Sequence, residues 1–103
     1  MKSFDLEIRA STFGSIITWK VYLEDSTDDS KLILGWFPSE DGYLFRKFSS
    51  YSIDDNTLEV FAGCQGIKGG KLIVEVLING ISQQEKVTAK VEDKKYAFKS
   101  YAL

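Results

Sequence analysis

Histidine is absent from all 103 residues. That removes the commonest general base near neutral pH and the commonest metal ligand. A Ser-His-Asp or Cys-His site is therefore impossible within one chain. Cysteine occurs once, as Cys64, so no intrachain disulfide forms and a thiolate zinc site cannot be assembled. A lone thiol leans towards a reducing compartment, yet disulfide-free secreted domains are common, so cytoplasm and export both stay open. No run approaches the ~18 apolar residues of a spanning helix, and membrane insertion is not expected. MKSFDLEIRA alternates charged and apolar side chains and has no apolar signal-peptide core. Neither GxxxxGK[ST] nor GxGxxG occurs. GIKGG at 66–70 precedes a strand pattern, so it lacks the helix N-terminus that a phosphate cradle uses.

What is present describes a folded, soluble single domain spanning 1–103. The chain is 44% hydrophobic and 27% charged, far from the disordered class. Its 14% of aromatic residues need a core. Net charge is −2, which argues against nucleic acid as a partner. Residues 1–60 carry 6 basic and 11 acidic side chains, and residues 61–103 carry 7 and 4. Lys86, Lys90, Lys94, Lys95 and Lys99 read as solvated strand edges and a hairpin tip rather than a nucleic-acid face.

The dominant period is two. Phe4, Leu6, Ile8 and Ala10 alternate with Ser3, Asp5, Glu7 and Arg9, as in a half-buried strand. Ile17, Trp19, Val21 and Leu23 share one face of the next run, and Thr18, Lys20, Tyr22 and Glu24 the other. KLILGWF at 31–37 is apolar on both faces and reads as a strand that is either central or packs aromatics on both sides. PSEDG is a turn, YLFRKF resumes the pairing, and SSYSIDDN at 49–56 reads as a crossing segment with room for one helical turn. Leu58, Val60 and Ala62 point inward from TLEVFAG, and CQGIKGG at 64–70 is a loop. KLIVEVLIN is the clearest strand. Asn79-Gly80 after it is the strongest short hairpin signal, because a type I′ turn needs positive φ at both positions. A two-residue loop pairs Ile78 with Ile81, Val76 with Gln83 and Val74 with Glu85. The polar return SQQEK suits a sheet edge, and YAFKSYAL is the last strand. About seven to nine short strands without a helix predict an all-β fold: an antiparallel β-sandwich, with a small β-barrel as the alternative.

FAGCQGIKGGKLIVEVLINGISQQEKVTAKV combines Gly69-Gly70, an alternating strand and Asn79-Gly80. This stretch resembles the last strands of small immunoglobulin-like bacterial domains, among them the MmpS-type accessory domains of mycobacterial transport systems. The likeness covers residues 61–91 of the 103. The chain departs from that family in having neither its transmembrane helix nor its cysteine pair. The resemblance implies an immunoglobulin-like sandwich and carries over no functional residue.

Two features point to ligands. LEDSTDDS at 23–30 holds Asp25, Asp28 and Asp29, and Asp54 and Asp55 follow in another loop. Calcium wants six to eight oxygens, and loops at one sandwich end can gather them. DSTDDS lacks the glycine and spacing of an EF-hand, and Asp and Ser side chains also bond their own backbone in plain turns. Calcium is thus the one metal to test, with no other cofactor expected. Paired carboxylates among Asp25, Asp29, Glu40, Asp41, Asp54 and Asp55 are the only route to catalysis, on a scaffold small for a glycosidase cleft, so no enzyme is expected. The aromatics Trp36, Tyr43, Tyr22 and Tyr51 are the second feature: they fill a two-sided core or make a platform for a ligand. The expected function is a non-catalytic interaction domain that holds a protein through a sheet face, edge or loop end. The alternative is a carbohydrate- or calcium-dependent module.

Overall fold

In a computed structural model the chain is all-β, and the structure describes residues 2–92 and 95–103. Lys94 of the lysine group falls outside them. Nine strands run through the described residues: β1 Lys2–Phe13, β2 Ile16–Leu23, β3 Phe37–Pro38, β4 Leu44–Ile53, β5 Thr57–Gly66, β6 Lys71–Ile78, β7 Ile81–Ser82, β8 Val87–Lys90 and β9 Tyr96–Ala102. They form two antiparallel sheets. The broad sheet runs β3-β4-β1-β6, with both β7 and β8 on the far side of β6. The narrow sheet runs β2-β5-β9. The chain crosses between the sheets at five of its eight connections, and β3–β4, β6–β7 and β7–β8 stay within the broad sheet.

The period-two pattern sets that core. Phe4, Leu6, Ile8 and Ala10 of β1 are buried, as are Leu72, Val74 and Val76 of β6. Val21 and Leu23 of β2 and Leu58, Val60, Ala62 and Cys64 of β5 meet them from the narrow sheet. A fully buried Leu or Val contributes about 1.5–3 kcal/mol of hydrophobic stabilisation.

Several expectations are corrected by the registers. KLILGWF is not a strand along most of its length: only Phe37–Pro38 enters a ladder. Gly35 takes φ +75, a left-handed conformation that breaks extended pairing. Ile33 is the buried side chain and Leu34 is 69% exposed, so the segment is not covered on both faces. SSYSIDDN continues β4 through Ile53 rather than crossing. A bulge absorbs the extra residue: Phe4 opposes Tyr51 while Leu6 opposes Phe48. Ser50 sits there at φ 51, its N–H donating to Asp5 Oδ1 at 3.1 Å. A second bulge turns Ile17 out to 77% exposure while Ile16 packs on the core. β5 runs on to Gly66, shortening the expected loop. A Cβ at Gly66 would stand 2.1 Å from the Ser15 carbonyl oxygen, so only glycine lets the β1–β2 turn lie on this strand end.

The Asn79-Gly80 hairpin forms as expected, with φ 51 and 81 and Ile78 opposite Ile81. The register then slips by two: Val74 pairs with Val87, not Glu85. A slip of two keeps every side chain on its own face, and here it puts Val87, fully buried, over the core in place of a glutamate. The bulged-out Glu85 carbonyl accepts a 2.7 Å hydrogen bond from Tyr101 Oη. The polar return strand does lie at the sheet edge.

Candidate functional site

Side chains directly opposed across antiparallel strands share a face. On the outer face of the narrow sheet that rule builds a row from all three strands: Tyr22 opposes Phe61, and Phe61 opposes Phe98. The Phe61 and Phe98 rings stack at 5.4 Å with 27° between planes. In the next row Lys20 opposes Gly63, and Gly63 opposes Tyr96. Tyr96 lies over the glycine, so close that a Cβ there would be 2.8 Å from its Cδ1. The ring is 74% exposed and Phe98 59% exposed. Together these residues, with Thr18, Gln65 and Ser26, line a groove of about 580 Å³. Among the described residues, Lys20 is the one charged side chain in the lining.

Of the four aromatics singled out in the sequence, Tyr22 alone belongs to this groove. Trp36 packs edge-on against Trp19 at 5.1 Å, and its Nε1 donates to the Ile33 carbonyl at 3.2 Å. Tyr51 is wedged between Phe4 and Phe48, with centroids 5.9 and 5.7 Å away. Its hydroxyl donates to Glu24 Oε2 at 2.7 Å. Burial, helped by that carboxylate, pushes the Tyr51 phenol above its ordinary range. Tyr43 lies on the outer face of the broad sheet, under the Arg9 guanidinium at 4.9 Å. Phe61, Tyr96, Phe98 and Lys20 were missed as site residues. Phe61 stands on the outward phase of TLEVFAG and is an apolar residue where the pattern asks for a polar one. Its meaning depends on β2 and β9 flanking it, which the sequence does not specify.

The acidic residues occupy exposed loops. Asp25 Oδ1 accepts from Thr27 N at 2.9 Å and Thr27 Oγ1 at 2.7 Å. Asp28 Oδ1 takes the same two bonds from Ser30, at 2.9 and 2.7 Å, and caps a single 3₁₀ turn at Asp29–Lys31. The neighbouring hydroxyl, and then the backbone N–H, hold both carboxyls below the usual range. Asp55 Oδ1 accepts from Thr57 N at 3.0 Å. Asp29 and Asp54 are exposed. Among the described residues, no three acidic or thiol side chains gather into a set that could hold a metal. Glu40 and Asp41 sit in the β3–β4 turn, on another part of the chain. Cys64 is 2% exposed; burial pushes its thiol up, partly offset by the Leu72 backbone.

No protein-family model, curated protein or solved structure matches this chain. Among the described residues, no helix is long and apolar enough to cross a membrane.

Proposed function

We propose that this chain is a non-catalytic binding domain, and that a protein partner docks on the outer face of the narrow sheet. The supporting observation is the in-register set Tyr22, Phe61, Phe98 and Tyr96, which presents aromatic surface outside the core. Aromatic side chains dominate the energetic centres of protein interfaces.

Three of the four sheet edges are poor alternatives. β3 is two residues long and includes Pro38, which has no N–H to give a ladder. The edge beyond β6 is broken by the bulge between β7 and β8. On β9, Lys99 opposes the buried Val60, so an edge lysine lies on the inward phase, where it pairs with Glu85 at 3.3 Å. Short strands, bulges and inward charges are the usual defences against strand addition.

Carbohydrate fits this groove less well. Sugars need several planar acceptors and donors beside a ring face, and among the described residues Gln65 is the only amide side chain in the lining, which has no carboxylate. The two phenylalanines add no polar group.

Selection of peptides from a random library against the domain tests the proposal. Binders should lose at least about 30-fold in Phe61→Thr/Phe98→Thr, the effect of a ~2 kcal/mol interface centre. They should be indifferent to Tyr43→Thr/Phe45→Thr on the broad sheet. Loss in both variants, or in neither, overturns it. Thermal melts with calcium, with EDTA and with soluble glycans test the other reading. A ligand at a hundred times its Kd adds about 2.7 kcal/mol and raises Tm by roughly 10 °C or more. Such a shift would move the function to that ligand.

A further inference from the structure

The groove has a charge that its own walls leave unanswered. Lys20 stands on β2, an edge strand of the narrow sheet, one row from the three rings and opposite a glycine that offers no side chain. The other polar lining groups, Thr18, Gln65 and Ser26, are neutral. Some cations outside the groove are matched, Arg9 with Glu7, Lys31 with Glu24 and Lys99 with Glu85, while Lys68, Lys86, Lys90 and Lys95 have no such partner among the described residues and lie outside the groove lining. Lys47 and Lys71 lie over rings. Among the described residues Lys20 has neither kind of partner.

An occupant that covers the aromatic row must also strip water from this ammonium. A buried, unpaired ammonium is strongly unfavourable. A neutral or basic segment is therefore rejected, while a carboxylate beside an apolar side chain satisfies both halves of the groove. Glu59 opposes Ser100 in the row beyond the rings, so the aromatic row separates the acidic side of the face from Lys20. We infer that the groove takes an acidic peptide segment of a partner protein, an aromatic or aliphatic side chain seated on Phe61, Phe98 and Tyr96 and a carboxylate on Lys20 Nζ. This rests on the binding-face reading and narrows it.

The test is an NMR titration of the ¹⁵N-labelled domain with three capped peptides of equal length. One is centred on Asp-Trp-Leu-Glu, one on Lys-Trp-Leu-Lys, and one on Asp-Ala-Ala-Glu. Only the first should move the amides of residues 18–22, 61–65 and 96–98, with at least about tenfold preference over the second. The preference should vanish in Lys20→Gln, reverse in Lys20→Glu, and weaken as salt is raised. Equal binding of the basic peptide, or a preference that survives Lys20→Glu, overturns the acidic inference and leaves the face reading intact. So does silence of all three peptides to millimolar concentration, because the library selection decides the face reading independently. Tighter binding of an oligogalacturonate to the same amides would assign the anion to a sugar and overturn the peptide proposal.

Discussion

The two sheets carry aromatic side chains on their outer faces in different company. On the broad sheet three of the rings lie under cations, while Phe37, 58% exposed beside Phe45, lies under none among the described residues. Arg9 sits over Tyr43 at 4.9 Å, Lys47 over Phe45 at 5.7 Å and Lys71 over Phe13 at 5.2 Å. Arg9 also holds Glu7 through a 2.6 Å ion pair, and Glu75 accepts from Ser82 Oγ. On the narrow sheet no cation lies over Tyr22, Phe61, Phe98 or Tyr96 among the described residues. A ring under a guanidinium keeps its apolar stem shielded and its surroundings wet. A bare row of rings loses water readily to a partner. The same residue type thus serves as ordinary surface on one face and as a candidate interface on the other.

Gly63 offers the largest test of this contrast after the ring substitutions themselves. Gly63→Ala forces the Tyr96 ring off the groove floor, since the new Cβ would start 2.8 Å from it. Binders of the narrow face should weaken by about tenfold or more. Stability should stay nearly level. The exposed ring can rotate away, and alanine reduces unfolded-chain entropy, an effect worth about 0.4–1 kcal/mol. Paired binding and melting curves check both halves.

Tyr101 is the next handle, because its bond to Glu85 ties β9 to the edge of the broad sheet. Tyr101→Phe should destabilise by about 1 kcal/mol. Its hydrogen exchange should quicken in β9 while β1 and β4 stay protected. Burial, then Glu85, pushes the phenol up to about 12. The neutral form is the one favoured by folding. Its contribution is therefore complete below the unfolded value of about 10 and is lost as pH rises towards about 12. Alkaline denaturation of the phenylalanine variant should begin from a lower stability but fall less steeply across that window.

The smallest effect on binding belongs to the caps, which lie on the other face. Arg9→Gln/Lys47→Gln/Lys71→Gln uncovers three rings of the broad sheet. Each exposed cation–π contact contributes about 0.5–1 kcal/mol, so loss of the three together should lower Tm by roughly 6–20 °C. Binding of an apolar dye should rise, and the added signal should disappear when Tyr43→Thr/Phe45→Thr is combined with it. If the dye is indifferent to the caps, the contrast between the faces does not come from them.

Legibility in the sequence followed the range of the interaction concerned. Phe4 to Ala10, Leu58 to Ala62 and Leu72 to Val76 declared their inward sides by alternation alone. Asn79-Gly80 declared its turn through the backbone freedom it requires. The failures came where a local pattern met a longer-range constraint. KLILGWF reads as a strand by composition, yet Gly35 and the packing of Ile33 against the core take it out of the ladder. SQQEK counts out a simple hairpin, yet burying Val87 outweighs two regular pairs. Trp36 and Tyr51 have the composition of a ligand platform, but each ring is held among other aromatic side chains beside the core.

The sequence by itself determined that this is an all-β chain, which residues of β1, β5 and β6 face its interior, and that histidine-based and intrachain disulfide chemistry are closed to it. Those properties depend on residue type and on period two, both local. Only the tertiary structure decided the candidate site. Tyr22, Phe61 and Phe98 come from strands separated by dozens of residues, and nothing in any one strand names its neighbours. They become a surface because β5 pairs with β2 on one side and β9 on the other, in a register that puts three rings in one row and opens the next at a glycine.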